Sequence, residues 1–221
     1  MRVLVLAGTA EARALCTRLA AAGHDVTASL AGVTAQPADV GVPTRRGGFG
    51  GAAGFRAALD RGRFEAVIDA THPYAARIGP RSARVCTQAG VPYLRLLRPP
   101  WSPGPGDDWR EIVAPAEAAA TIPEGEGVFL STGGRSLADW APLAGRRVIA
   151  RVLPPAPVSP FEGCRIVTGA PGDTAQETAF LKGSAVGWVV ARNAGGPARG
   201  KLDAARSLGL PVLIQRRQIG R

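Results

Sequence analysis

Long apolar runs are missing from this chain. No stretch approaches the roughly 20 consecutive apolar residues that would span a bilayer. The apolar segment after Arg2 runs within a few residues into a glycine turn at Gly8, too short for the core of a secretory leader. The expectation is a soluble, cytoplasmic protein with no membrane contact. Cysteine is almost as scarce. Cys16, Cys86 and Cys164 stand far apart, fit no metal-ligand spacing and read as small buried hydrophobes in a reducing compartment. No metal site is expected, and no nucleophile elbow is present. Aromatic residues make up only 5% of the chain, and no basic helix or recognised binding motif accompanies them, so nucleic acid is not the expected partner. Acidic residues are also in deficit, at 17 against 27 Lys and Arg, for a net charge of +10. The excess is spread along the whole chain rather than gathered in a tail, and such a field attracts a small, highly anionic ligand.

What is present is an ordinary globular balance, 46% hydrophobic and 20% charged over 221 residues, enough for one large or two small domains. Short apolar runs alternate with helical stretches, the pattern of parallel sheets with crossover helices. In the first half, strands are expected over 3–7, 25–30, 42–45, 66–70 and 92–96. Helices are expected over 11–21, 52–59 and 76–89, with Gly23 and Gly90 at C-caps. The segment Arg-Pro-Pro-Trp-Ser-Pro-Gly-Pro-Gly-Asp-Asp, 98–108, can form neither helix nor central strand, and the domain boundary is placed there. The second half repeats the pattern. Strands are expected over 127–130, 147–151, 165–167, 186–191 and 211–215, and helices over 114–120, 137–143, 174–182 and 201–208. The fold class expected is α/β: two Rossmann-like parallel-sheet domains, 1–100 and 108–221, with a ligand cleft between them.

In open α/β sheets ligands bind beyond the carboxyl ends of the strands, which selects the loops to examine. After the first strand, Gly8 allows close backbone approach, and Thr9 begins a helix whose terminal N–H groups suit a phosphate, or merely caps it. The next strand ends in Ser29-Leu30 without the acidic residue that NAD-specific sites carry for the ribose hydroxyl, which suits NADP. Arg45 and Arg46 are candidate partners for the extra phosphate, or else solvated arginines. Gly47-Gly48-Phe49-Gly50-Gly51 opens a helix and implies close backbone approach, or a hinge. Asp69-Ala70-Thr71-His72-Pro73-Tyr74 ends an apolar strand, and His72 and Tyr74 are candidates to bind ligand or donate a proton, or structural groups. His24 reads as a surface residue. In the second half, Thr132-Gly133-Gly134-Arg135-Ser136 and Arg192-Asn193 follow strands and suit carboxylates or phosphates. The run from Gly195 to Lys201 imitates the start of a P-loop, but Leu202 stands where Ser or Thr would hold Mg²⁺, and Pro197 removes a backbone donor.

These motifs together resemble the precorrin-6A reductase family of cobalamin (vitamin B12) biosynthesis. The matching pieces are LAGTAEAR (6–13), GGFGGAAGF (47–55), VIDATHPYA (67–75), LRLLRPPW (94–101), FLSTGGRSL (129–137) and ARNAGGPARGKLDAARSLGLPV (191–212). They follow the family's order and span nearly the whole chain; DATHPYA is the most specific. Departures are Val33, where the family pattern has an Arg, Arg192-Asn193-Ala194-Gly195 in place of a Lys and Ser-Gly, and Arg216-Arg217 in place of Arg-Pro. The resemblance implies NADPH-dependent reduction of one double bond of precorrin-6A to precorrin-6B. The alternatives are a cobalt-precorrin-6A reductase of the anaerobic route or a non-catalytic dinucleotide- or corrinoid-binding module. It implies an NADP-binding first domain using Gly8, Thr9, Ser29, Leu30, Gly48, Phe49 and Thr71. The second domain would bind the polycarboxylate tetrapyrrole through Thr132, Gly133, Gly134, Arg135, Ser136, Arg192, Asn193 and Lys201. His72, Tyr74 or bound water would supply the proton, and transient contact with neighbouring pathway enzymes is expected.

Overall fold

The computed structural model describes residues 1–32 and 39–217; Val33, one of the departures noted above, lies outside them. The chain divides into two compact units, Met1–Arg98 and Pro99–Arg217. The first unit carries β1 (Arg2–Leu6), α1 (Ala10–Ala21), β2 (Asp25–Leu30), β3 (Thr44–Arg46), α2 (Gly51–Gly62), β4 (Ala66–Asp69), α3 (Ile78–Ala89) and β5 (Tyr93–Arg95). Its five strands lie in the order β3-β2-β1-β4-β5, all parallel. The β1 strand is apolar on both faces because it is central. Val3 and Val5 join Ala12 and Cys16 of α1 on one side, while Leu4 and Leu6 meet Phe55 and Leu59 of α2 and Val85 of α3 on the other. Near-continuous apolar runs of this kind mark a parallel strand covered on both faces.

The second unit carries β6 (Trp109–Ile112), α4 (Pro115–Thr121), β7 (Gly127–Ser131), a 3₁₀ helix (Gly134–Leu143), β8 (Arg147–Val152) and β9 (Cys164–Thr168). It continues through α5 (Thr174–Gly183), β10 (Trp188–Arg192), α6 (Gly200–Ser207) and β11 (Val212–Gln215). Its sheet order is β6-β11-β10-β7-β8-β9, also parallel throughout. Read from the far edge, β9-β8-β7-β10-β11 repeats the winding β3-β2-β1-β4-β5, with β6 added at the end. One architecture is used twice, and each copy has its own core on each face of its sheet.

Three elements depart from the sequence expectation. The helix expected from 76 begins at Ile78, because Pro80 is tolerated only in a first turn and would clash with the carbonyl of a helical Ala76. The helix expected over 137–143 is a 3₁₀ helix, Gly134–Leu143, with Pro142 inside it; the tighter i to i+3 pattern suits a short, proline-bearing segment. The strand β6 was not expected. Its residues Trp-Arg-Glu-Ile bury only Ile112 fully, and a short edge strand carries little apolar signal.

The proline-rich segment after Arg98 is part of the second unit rather than a loose tether. Trp101 is buried in that unit's core with Phe129, Leu202 and Ile214, and its indole N–H donates to the Gly196 carbonyl at 2.7 Å. Cys16, Cys86 and Cys164 are all buried and unbridged. Burial pushes their thiols up, that of Cys86 to about 11, so they remain protonated and unreactive at neutral pH.

Candidate functional site

Each sheet has one point where successive connections leave in opposite directions, and this is where open α/β sheets bind ligands. In the first unit it lies between β1 and β4. The connection after β1 turns at Gly8, whose φ of +133° favours glycine. Thr9 follows, and its hydroxyl is committed twice: it accepts from Ala12 N at 3.1 Å as the N-cap of α1 and donates to the Ala70 carbonyl at 2.9 Å. Thr9 therefore ties the ends of β1 and β4 together. A small open pocket at this point is lined by Thr9, Glu11, Ala70, Thr71, Pro73, Leu96 and Arg98. The Glu11 carboxylate sits at the start of α1 with Arg98 Nη1 at 3.2 Å from both its oxygens. Burial tends to raise its pKa, but its own backbone N–H, Arg98 and Thr9 together hold it below the usual carboxylate value. A negative charge from the chain itself thus occupies the helix terminus that the sequence offers to a phosphate.

Asp69 organises the DATHPY loop, a role that reading the loop for exposed ligand groups missed. Its carboxylate is 1% exposed. One oxygen accepts from Thr71 N at 3.0 Å and from the Thr71 hydroxyl at 2.6 Å. The other accepts from the Tyr93 hydroxyl at 2.8 Å and lies 3.8 Å from Arg95 Nε. Burial first, then the Asp69 carboxylate, pushes the Tyr93 hydroxyl well above its usual range. The available signal was a lone acidic residue ending an apolar strand, where a charge must be paired to be buried. Thr71 is consequently held by Asp69. His72 is exposed and Tyr74 half-buried; Tyr74 N donates to His72 Nδ1 at 3.3 Å. That bond makes His72 Nδ1 an acceptor, which puts the ring proton of the neutral imidazole on Nε2.

At the ends of β2 and β3, Arg45 is neither a solvated side chain nor an open phosphate contact. It donates to the Ser29 hydroxyl at 2.9 Å and to the carbonyls of Gly47 and Gly48 at 3.0 and 3.1 Å. Its guanidinium stacks 3.9 Å from the Phe49 ring, and Phe49 in turn meets Phe55 edge-on. Arg45 thereby shapes the glycine loop, which also holds the Leu30 carbonyl through Gly47 N. Arg46 is exposed beside it. A side chain placed at Gly8, Gly47, Gly48, Gly50 or Gly51 would meet nothing within 4 Å, so this backbone forms an open shelf. Among the described residues, Ser29, Leu30, Ala31 and Gly32 at the end of β2 carry no carboxylate. Such a shelf leaves room for the backbone to approach a nicotinamide dinucleotide closely.

In the second unit the corresponding point lies between β7 and β10. Ser131 pairs in register with Ala191, so Thr132 and Arg192 leave the sheet side by side. Arg192 Nη2 donates to the Ser136 hydroxyl at 2.7 Å and Nε to Gln215 at 3.3 Å, which brings Thr132, Ser136 and Arg192 together. Gly133 and Gly134 lie between them in sequence, and Arg135 is exposed. Asn193 and Lys201 are engaged elsewhere. The Asn193 amide brackets Trp101, accepting from its N at 2.7 Å and donating to its carbonyl at 2.9 Å. Lys201 is 5% exposed, donates to the Ala198 carbonyl and lies 4.9 Å from the Trp101 ring. Both anchor the Pro99–Trp101 segment to the second core. Among the described residues, no group of His, Cys, Asp and Glu could hold a metal ion, and no helix is long and apolar enough to cross a membrane.

Two doubly wound parallel-sheet units, each with a polar crevice at its switch point, define an α/β protein of the Rossmann-like class. The chain belongs to the precorrin-6x reductase CbiJ/CobK family, whose model matches residues 2–221. It is 40% identical over 217 residues to a precorrin-6A reductase of Rhodobacter capsulatus, covering 96% of this chain and 86% of that one. It is 38% identical over 220 residues to one from Rhodococcus erythropolis, covering 98% and 89%. The solved structure of a CobK precorrin-6A reductase superposes with a TM-score of 0.91 at 39% identity, over 100% of this chain and 90% of that one.

Proposed function

We propose that this chain reduces one double bond of precorrin-6A, giving precorrin-6B in cobalamin biosynthesis, with NADPH as reductant. The observation that carries this reading is the end-to-end similarity to precorrin-6A reductases in both sequence and structure. NADPH, when bound, supplies the hydride, and the protein supplies position and electrostatics. On this reading the shelf of Gly8, Gly48 and Phe49, with Ser29 and Leu30 at its edge, receives the dinucleotide. Arg46 is the exposed cation for its ribose phosphate. Thr9 and Thr71 support the shelf from beneath. His72, through its Nε2 proton, is the first choice for proton donor, with Tyr74 beside it. The substrate's rim of carboxylates suits the positive field of the chain. The reaction belongs in the cytoplasm, with transient hand-over from neighbouring pathway enzymes.

The test is NADPH oxidation by the purified protein, measured in parallel with precorrin-6A and with cobalt-precorrin-6A. Oxidation dependent on precorrin-6A is expected. Turnover of the cobalt substrate alone would assign the chain to the anaerobic route, and binding without turnover of either would leave a carrier module. His72→Ala should lower kcat by about 10²-fold or more, the scale of general acid catalysis, with little change in NADPH affinity. Unchanged turnover would return His72 to a structural role.

A further inference from the structure

Strand β5 faces the wrong way for a strand placed by apolar burial alone. Leu94 is 61% exposed, while its neighbours Tyr93 and Arg95 turn to the opposite face and are half-buried. Residues two apart on a strand share a face, and register normally puts the apolar set inward. What the inward pair meets is the buried Asp69 carboxylate. The Tyr93 hydroxyl donates to Asp69 Oδ2 at 2.8 Å, and Arg95 Nε lies 3.8 Å from the same oxygen. The Tyr93 hydroxyl is also 3.3 Å from the Gly79 carbonyl in the first turn of α3. A Cβ at Gly79 would lie 3.1 Å from Oδ2 and 3.4 Å from Arg95 Cζ, so α3 closes over the pair. Burial and the adjacent carboxylate keep the Tyr93 proton on its oxygen, and the hydroxyl stays a donor.

On its other side Asp69 grips the loop. Thr71 donates both its N–H and its hydroxyl to Oδ1, at 3.0 and 2.6 Å. A buried charge must be paired, but two bonds from one residue to one oxygen do more. They fix the peptide plane before Thr71 and the rotation of its side chain, and the following peptide carries His72. The chain then turns, with Ala75 N on the His72 carbonyl at 2.8 Å and Tyr74 N on His72 Nδ1 at 3.3 Å. A run of hydrogen bonds thus leads from Tyr93 through Asp69 and Thr71 to the turn that carries the His72 ring.

We infer that Tyr93, with Arg95 beside it, is a positioning residue for the reaction. It holds the Asp69 carboxylate in the orientation that aims the His72 ring, and it acts through Asp69 and Thr71 rather than on the ligands. A group that donates a proton is effective only when its geometry is fixed by a supporting shell. This deepens the proposed reductase reading and rests on its assignment of His72.

Tyr93→Phe removes one hydroxyl and keeps the ring in its core. Its effect is readable without turnover, because His24 and His72 are the only histidines of the chain and comparison with His72→Ala assigns their ring signals by NMR. Tyr93→Phe should shift the His72 signals and leave those of His24 in place. The kcat of NADPH oxidation with precorrin-6A should fall about tenfold, within the roughly 10²-fold that a misplaced group can cost, with NADP⁺ affinity unchanged. In a double-mutant cycle, Tyr93→Phe should add nothing to the loss in His72→Ala, since the aimed group is already gone. Val85→Ala is the control: it thins the same core and removes no hydrogen bond, so Tm should fall while kcat and the His72 signals hold. Unmoved His72 signals, multiplicative losses in the cycle or an equal response to Val85→Ala would each overturn the inference. If Tyr93→Phe does not fold, Arg95→Gln carries the same measurements, with the same pattern expected and the same results overturning it. Failure of the reductase reading is separate: it appears as absent NADPH oxidation in the unaltered protein, while the NMR signals still decide the link from Tyr93 to His72.

Discussion

At the scale of single residues, the groups that carry charge in the first crevice are held by partners far along the chain. Glu11 and Arg98 are 87 residues apart, and their pair keeps the Glu11 carboxyl below its ordinary value after burial is offset. A depressed carboxyl contributes stability that is fully present above its unfolded pKa and is lost as pH falls through the folded one. Arg98→Gln should therefore lower stability at neutral pH by about 0.5–1 kcal/mol, since both side chains are partly exposed and solvent screens them. The gap between variant and wild type should close as the pH drops below the carboxylate range. Melting temperatures of the two proteins across pH 3–8 (roughly the span of carboxyl titration) check this, and a constant gap would contradict it. Which side chains would line the loops was legible in advance; which of them would be consumed by internal bonds was not. Thr9, Thr71, Asn193 and Lys201 all carry polar groups suited to a ligand, and the fold spends those groups on Ala70, Asp69, Trp101 and Ala198.

At the scale of elements, the glycine loop before α2 separates two uses of the same residue. A Cβ at Gly54 would lie inside the Phe49 carbonyl, while one at Gly48 meets nothing within 4 Å and Gly48 has an ordinary φ. Gly54→Ala should thus force the loop off the helix and destabilise the protein by about 3 kcal/mol, at the upper end of overpacking costs. Gly48→Ala should leave Tm within about a degree, consistent with a surface change of under 0.5 kcal/mol, yet weaken NADPH binding if the shelf takes the dinucleotide. Thermal melts and NADPH titrations of both variants separate the roles; equal melting temperatures for the two would contradict the packing argument. The start of α3 was set by Pro80 and the 3₁₀ helix carries Pro142, both visible as letters. The edge strand β6 was not visible, because it earns its place through pairing with β11 rather than through an apolar pattern of its own.

At the scale of the whole molecule, each unit encloses its own cores, and all four tryptophans, Trp101, Trp109, Trp140 and Trp188, belong to the second. Tryptophan fluorescence therefore reports the second unit, whereas far-UV circular dichroism reports both. Urea unfolding should give non-coincident transitions by the two probes, the signature of a departure from two-state behaviour. Superimposable curves would show that the units unfold as one.

The sequence by itself determined the alternation of strands and helices, the repeated α/β plan and the loops at the strand ends, because hydrophobic period and turn chemistry are local properties. It also carried the family resemblance, spread over motifs from 6 to 212. The tertiary structure alone decided the order of strands within each sheet and the partner of each polar group in the crevices. Those bonds join residues as far apart as Thr9 and Ala70, Ser136 and Arg192, or Trp101 and Asn193. No local pattern encodes them, since a hydroxyl or guanidinium is specified by what the folded chain places within about 3 Å of it. Thr9 and Thr132 look alike as letters, and only the fold pairs one hydroxyl and leaves the other unpaired.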